Sequence, residues 1–298
     1  MKTITLITCS YDETADYLIS KYTSNTIEFF RINIDKMEAY IFLVRNDGWQ
    51  IVFNDKEISN KNIESIYYRK PEFPNLSIYE FKYRSLIKKD IYALITGIAD
   101  SFEGTVLTRP SVLRMAENKI LQLRYAADLG IRMPKSLITN SMDVSNEFIL
   151  NDTIIKPLST GKVDGEVYFT HMITGITRRI DKTPIYLQEY ISKSYEVRIT
   201  IIKEKVYTVK IECDDKVDWR KSYSTHRYSL IKCPHIVEEY CKKLMLKFGL
   251  KFSAIDFIVD TEGHWIFLEI NPNGQWLWLE NSLNLDISRR IVKYLTME

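Results

Sequence analysis

The sequence predicts an α+β protein with mixed sheets in more than one domain, and three observations predict it. Strand-like runs of β-branched and apolar residues alternate with segments of helical period through the first third of the chain. From Thr153 the texture changes to closely spaced short strands. The chain has 298 residues, and at about 150 residues per domain that length allows two domains or three small ones.

Each element has its own signal. KTITLIT at 2–8 reads as a buried opening strand, Asp12 to Lys21 as a helix, and Ile27 to Ile34 as a second strand. Tyr40 to Val44 and Trp49 to Phe53 flank Arg45-Asn46-Asp47-Gly48, and Asp-Gly is a strong hairpin cue. SIYYR at 65–69 is a further strand, ended by Pro71 and Pro74. Between Ile78 and Phe102 the apolar residues Phe81, Leu86, Ile87, Ile91, Leu94, Ile95 and Ile98 recur at helical spacing. Lys82, Arg84, Lys88 and Lys89 lie on the other face of that helix; a solvated surface is the ordinary reading of such a cluster, a phosphate or partner patch the alternative. A boundary follows at Gly104 to Pro110. Asn118 to Leu129 is a helix stopped by Gly130, and a strand near Ser136 to Ile138 follows Pro134. TIIKPL, EVYFTHMI, IYLQEYI and EVRITIIKEKVYTVKIE are the later strands. Val237 to Phe248 is an amphipathic helix, Ser253 to Val259 and Trp265 to Ile270 form a hairpin around Asp260–Gly263, and the last helix spans Ile287 to Leu295.

Composition excludes several classes. Forty-one basic against thirty-nine acidic residues leave a net charge of +2, so no global field argues for nucleic acid. Among ten glycines no two are separated by a single residue, and GxxxxGK[ST] is absent, so a nucleotide would have to be held without a dinucleotide loop or a P-loop. The four cysteines form no CxxC pair and the four histidines no HExxH, which argues against zinc and against a disulfide framework. The apolar run before Cys9 is shorter than a secretory core and is followed at once by Asp12 and Glu13. No stretch approaches the roughly 18 apolar residues of a membrane helix. The cytoplasm is the expected compartment.

The richest chemistry lies in the C-terminal hairpin. Glu269 and Asn271 are two apart on one strand and project to one face, and pairing across the turn can bring Asp256 beside them. Two carboxylates and an amide oxygen make a hard-oxygen site suited to Mg²⁺; solvated acids on a hairpin are the plain alternative. Both acids are flanked by apolar neighbours, Ile255 and Phe257, Leu268 and Ile270. Lys156 sits in an apolar strand ahead of a small-residue loop (Ser159, Thr160, Gly161), where it can reach phosphate oxygens, or simply snorkel from a sheet edge. Glu196 and Arg198 share a strand face, which by itself is commonly a surface ion pair. Gln188-Glu189-Tyr190-Ile191 is the fourth element.

In order, these elements resemble the ATP-grasp ligases: Lys119 ahead of a strand, Lys156 before a glycine loop, Gln-Glu-Tyr-Ile, Glu-x-Arg, Asp, then Glu-x-Asn-Pro, from about Arg109 to Leu295. That resemblance implies two α+β subdomains clamping ATP, at 109–187 and 188–298, after a pre-ATP-grasp domain at 1–108. It implies that Lys119 and Lys156 contact the nucleotide phosphates with the loop residues Ser159 and Gly161, and that Gln188, Glu189, Tyr190 and Ile191 surround adenine. Glu196 would lie near the ribose. Asp256, Glu269 and Asn271 would hold magnesium, expected as two ions, and Arg198 would face the reacting phosphoryl group. Arg220, in DWR at 218–220, resembles an arginine that holds an acyl phosphate.

NPNGQWLWLE at 271–280 resembles, more narrowly, the ending of the microviridin-type (graspetide) peptide ligases, and SIYYRKP at 65–71 resembles their N-terminal domain. Trp276 and Trp278 also have the plain reading of core packing. The narrower resemblance implies ATP-dependent activation of Asp or Glu side chains of a ribosomal precursor peptide, joined to Ser, Thr or Lys as macrocyclic esters or amides. It also implies leader binding by the central subdomain, and homodimers are common among such ligases. A ligase joining free amino acids and a non-catalytic ATP-binding scaffold are the alternatives; nucleic acid and membrane are not expected partners.

Overall fold

The computed structural model describes residues 1–149, 152–159, 162–163, 166–167, 170–176, 179–213 and 226–297. The chain divides into two compact units: Met1–Arg114 with Leu250–Phe252 and Gln275–Glu298, and Met115–Gly249 with Ser253–Gly274.

The first unit is built on a four-stranded parallel sheet in the order Ile27–Asn33, Lys2–Thr8, Ser65–Tyr68, Thr105–Leu107. Parallel neighbours need crossovers, and the helices Glu13–Tyr22 and Phe81–Ser101 lie in the connections of the outer pairs. Asp12 starts the first of these helices by accepting from the Thr14 amide, an N-cap bond. A three-stranded antiparallel sheet follows the second strand: Ile41–Arg45, Gly48–Phe53 and Lys56–Ser59. Sequence reading missed its last strand, in which Lys56 and Glu57 leave no apolar period. The turn before it is legible in hindsight: Asn54 and Asp55 both take positive φ, the conformation a tight hairpin demands and these residues tolerate. Ile7, Phe30, Ile32, Trp49, Ile51, Ile66, Ile91 and Ile95 share the core. Two C-terminal helices, Leu277–Leu283 and Ile287–Leu295, also belong to this unit; the second buries Ile287, Ile291, Val292 and Leu295.

The second unit holds two larger sheets besides the short antiparallel pair Lys162–Val163 and Glu166–Val167. One orders His171–Ile173, Thr153–Lys156, Ile185–Glu189 and Ser136–Thr139. The other orders Arg227–Leu230, Lys205–Glu212, Lys193–Ile202, Phe252–Asp260 and Trp265–Asn271. The helix His235–Phe248 ends at Gly249 in the left-handed conformation, and Lys119–Asp128 begins at the cap Asn118. The short helices Pro110–Ala116, Met142–Phe148 and Leu277–Leu283 are additions to the sequence reading, each too brief to show a period.

Candidate active site

A single irregularity builds the site. Near the turn the hairpin pairs Val259 with Trp265, Ile258 with Ile266 and Phe257 with Phe267, but the next pair is Asp256 with Glu269. Leu268 is the extra residue of a β-bulge. Had the regular register continued, Asp256 would face Leu268, and Glu269 would point to the opposite side of the sheet. The bulge puts Asp256 and Glu269 directly across from each other on one face, with Asn271 two residues farther along it.

Hydrogen bonds then tie the group together. Asn271 Nδ2 donates to Asp256 Oδ2 at 2.7 Å and to Glu269 Oε1 at 3.0 Å. Arg198, on the neighbouring strand, donates from Nη1 to both Asp256 oxygens at 2.8 Å. Lys119 donates from Nζ to Glu269 Oε2, and its helix is fixed to the same strand by Gln122, whose Nε2 donates to the Ile270 carbonyl at 2.9 Å. Gln122 is a supporting residue that sequence reading missed; being a polar residue on a helix, it carries no signal until the strand lies against it.

Electrostatics follow from this geometry. Burial pushes the Glu269 carboxyl up, but the charge and hydrogen bond of Lys119, the charge of Lys156 and the Asn271 amide outweigh it, and the group stays below the ordinary carboxylate range. Glu269 is therefore an anion at neutral pH, and so a competent ligand for a cation. The donor set of two facing carboxylates and an amide suits a hard divalent ion. Exposure of the side chains of Glu269 (28%) and Asp256 (15%) leaves both reachable from solvent.

The other predicted residues are placed as follows. Lys156 ends its strand opposite Tyr186, and its charge is felt at Glu269. Ser159 is exposed. Gly161 and Arg220 lie outside the described residues. Gln188 is buried, with Nε2 donating to Ser136 Oγ and Tyr186 Oη at 3.1 Å; its Oε1 is a buried acceptor with no hydrogen bond. The Glu189 and Tyr190 amides donate at 2.9 Å to the Lys135 and Asp152 carbonyls, and Ile191 lies just beyond the strand Ile185–Glu189. Glu196 is buried and paired with Lys193. The structure thus joins Lys119, Lys156, Arg198, Asp256, Glu269 and Asn271 in one electrostatic group. Glu196 pairs with Lys193, and Gln188 bonds to Ser136 and Tyr186.

The aromatic ending has a packing role. Trp276 is fully buried, stands edge-on to Tyr17 and donates from Nε1 to Tyr67 Oη at 3.3 Å. Gln275 accepts from Arg69 Nη2 at 2.6 Å, and Glu280 accepts from Tyr17 Oη at 2.7 Å. The SIYYR and QWLWLE segments therefore bond to each other inside the first unit.

No family model matches the chain. Among solved structures it is similar to the macrocyclase MdnC bound with precursor peptide MdnA from Microcystis aeruginosa MRC, at TM-score 0.87 and 25% identity over 100% of both chains. It is also similar to a Chryseobacterium gregarium RiPP-associated ATP-grasp ligase in complex with ADP and a leader and core peptide, at TM-score 0.84 and 24% identity, covering 99% of this chain and 96% of that one. D-alanyl-alanine synthetase A from Vibrio cholerae shares the architecture at TM-score 0.63 and 11% identity, over 99% and 97% of the two chains. In sequence the chain is 21% identical over 204 residues to human N-acetylaspartylglutamate synthase A, covering 63% of itself. It spans about half the length (51%) of that curated relative. The chain has the ATP-grasp fold.

Proposed function

We propose that this protein is an ATP-dependent peptide ligase that activates Asp or Glu side-chain carboxylates of a ribosomal precursor peptide and joins them to Ser, Thr or Lys side chains as macrocyclic esters or amides. The observation that carries this reading is the bulged hairpin that sets Asp256, Glu269 and Asn271 on one face under Lys119 and Arg198, in a fold matching MdnC over 100% of both chains.

A carboxylate is a poor electrophile and repels a triphosphate. Activation forms a bond from a carboxylate oxygen to the γ-phosphorus and breaks the β–γ bridge, releasing ADP; the peptide hydroxyl or amine then attacks the acyl carbon, loses its proton and expels phosphate. Asp256, Glu269 and Asn271 would hold Mg²⁺, proposed as two ions, and bound metal would neutralise phosphate oxygens in both ground and transition states. Lys119 and Lys156 would supply two positive charges to those oxygens. Arg198, oriented by Asp256, presents its guanidinium where charge moves as the phosphoryl group transfers. Gln188, Glu189, Tyr190 and Ile191 are assigned to the adenine pocket, and Glu196 to the ribose. Ser159 and Gly161 are assigned to the phosphate lid, and Arg220 to the acyl phosphate.

The leader of the precursor is assigned to the central subdomain at 109–187, the metal-site subdomain to 188–298, and the pre-ATP-grasp domain to 1–108, with a homodimer as the proposed assembly. Among the described residues no helix is long and apolar enough to cross a membrane, and the cytoplasm is the proposed compartment. Similarity to N-acetylaspartylglutamate synthase A favours a second reading, in which a free amino acid is joined to a carboxylate.

One assay separates them. The chain is incubated with ATP, Mg²⁺ and the peptide of a neighbouring short reading frame rich in Ser, Thr or Lys and Asp or Glu, and the peptide mass is followed. Macrocyclisation removes about 18 Da per ring, the mass of one water, and Glu269→Gln lowers the rate by at least about a hundredfold. An unchanged peptide mass with addition of free amino acid to an acceptor establishes the second reading instead.

A further inference from the structure

We propose that Gly274 is a positioning residue for Arg198: the absent side chain at 274 is the space that lets the guanidinium reach Asp256. The inference rests on the reading of Arg198 as the group that faces the transferred phosphoryl.

Gly274 follows the proposed metal ligands, and its amide donates to the Asn271 carbonyl at 3.2 Å, closing the turn that leaves the hairpin. Backbone freedom does not explain a glycine here. Gly130, Gly249 and Gly263 take left-handed φ values and have nothing within 4 Å of where a Cβ would stand, whereas Gly274 has no such φ and is crowded. A Cβ at 274 would come 2.8 Å from Arg198 Nη2, 2.6 Å from Ala254 Cβ and 3.2 Å from the Asn271 carbonyl oxygen. Contacts below 3 Å are not tolerated, so something must move. Ala254 belongs to the strand that carries Asp256 and is itself fully buried. The movable partner is the far end of Arg198.

Nη1 donates to both oxygens of Asp256, while Nη2 lies against the bare backbone of Gly274. A methyl group there would swing the guanidinium about its Nη1 contact, away from its present plane. A planar, fork-shaped donor loses its orientation before it loses its ion pair. The expected consequence is a protein that still folds and still binds the invariant part of the nucleotide, but misaims one cation.

The test uses Ala254→Gly, which removes the strand clash, and compares Ala254→Gly/Gly274→Ala with it, each also in an Arg198→Lys background. Arginine side-chain ¹⁵N resonances, with Arg198 identified by its loss in Arg198→Lys, report the guanidinium directly. Calorimetry with Mg²⁺ and either AMPPNP or ADP reports the phosphoryl contact. In the double variant the Arg198 resonances shift and the melting temperature matches that of Ala254→Gly. AMPPNP affinity falls about tenfold, the scale of one charge-assisted contact, while ADP affinity holds. In the Arg198→Lys background, Gly274→Ala costs nothing further. Unmoved Arg198 resonances, or an equal loss in the Arg198→Lys background, overturn the proposal. If the native chain binds neither nucleotide, the nucleotide-site reading fails, and the resonance shift still decides whether Gly274 positions Arg198.

Discussion

Each unit contains an arginine–aspartate pair, and the two pairs are built for different ends. In the first unit Arg69 and Asp12 are 1% and 7% exposed, and the guanidinium spends its nitrogens on three acceptors: Asp12 Oδ2 at 2.8 Å, Tyr67 Oη at 3.3 Å and Gln275 Oε1 at 2.6 Å. Asp12 is further bonded by Thr8 Oγ1 at 2.7 Å and by the Thr14 amide. Beyond the ion pair itself, these hydrogen-bond partners are all neutral. In the second unit Arg198 and Asp256 are 9% and 15% exposed, and around them stand a second carboxylate, Glu269, and two lysine charges. A closed network of that first kind fixes chain segments in place. An open one, with more charge than a fold requires, is suited to exchanging its internal cations for those of a ligand.

Three measurements test that contrast, in order of expected effect. Arg69→Met leaves Asp12 buried with its opposite charge gone, and should lower unfolding stability by about 3–5 kcal/mol, read by denaturant melts. Arg198→Met should lower it by only about 1 kcal/mol, because Asp256 keeps the Asn271 amide and solvent access, while nucleotide affinity falls steeply. Equal stability losses in the two variants would erase the distinction between them.

The second measurement is a titration. The folded Glu269 carboxyl lies below its unfolded value, so its stabilisation is present above the ordinary carboxylate range and is lost as pH falls through the lower folded value. Replacing Lys119 with Met removes the strongest opposing charge. The Glu269 carboxyl ¹³C midpoint should then move up toward its unfolded value, and the acid limb of the stability curve should become shallower. The smallest effect concerns a glycine outside both networks. Gly97 lies inside the helix Phe81–Ser101 with nothing within 4 Å of a Cβ position, so Gly97→Ala should stabilise the first unit by about 0.5–1 kcal/mol, with turnover unchanged.

Much of the fold was legible in the sequence because local signals agreed with tertiary ones. The helices read from Asp12 and from Asn118 are capped by those residues, Gly130 follows the end of the second in the left-handed conformation, and the last helix runs over Ile287–Leu295 as read. Lys56–Ser59 was invisible because a short charged strand exists only through its partner. The sequence order of lysines, arginine, acids and amide carried the resemblance to ATP-grasp ligases, whereas each motif by itself left a plain structural alternative open. Gln122 and Lys193 were missed because a polar residue acquires a role only from what folds against it.

By itself, then, the sequence determined the charges available, the strand-rich C-terminal half and the side chains that could hold phosphate and metal. Only the tertiary structure decided that they converge. A regular hairpin would have sent Asp256 and Glu269 to opposite faces, and the single extra residue Leu268 reverses that. Side-chain direction in a strand alternates at every position, so one unpaired residue flips everything beyond it, and no property of Leu268 alone announces that it goes unpaired.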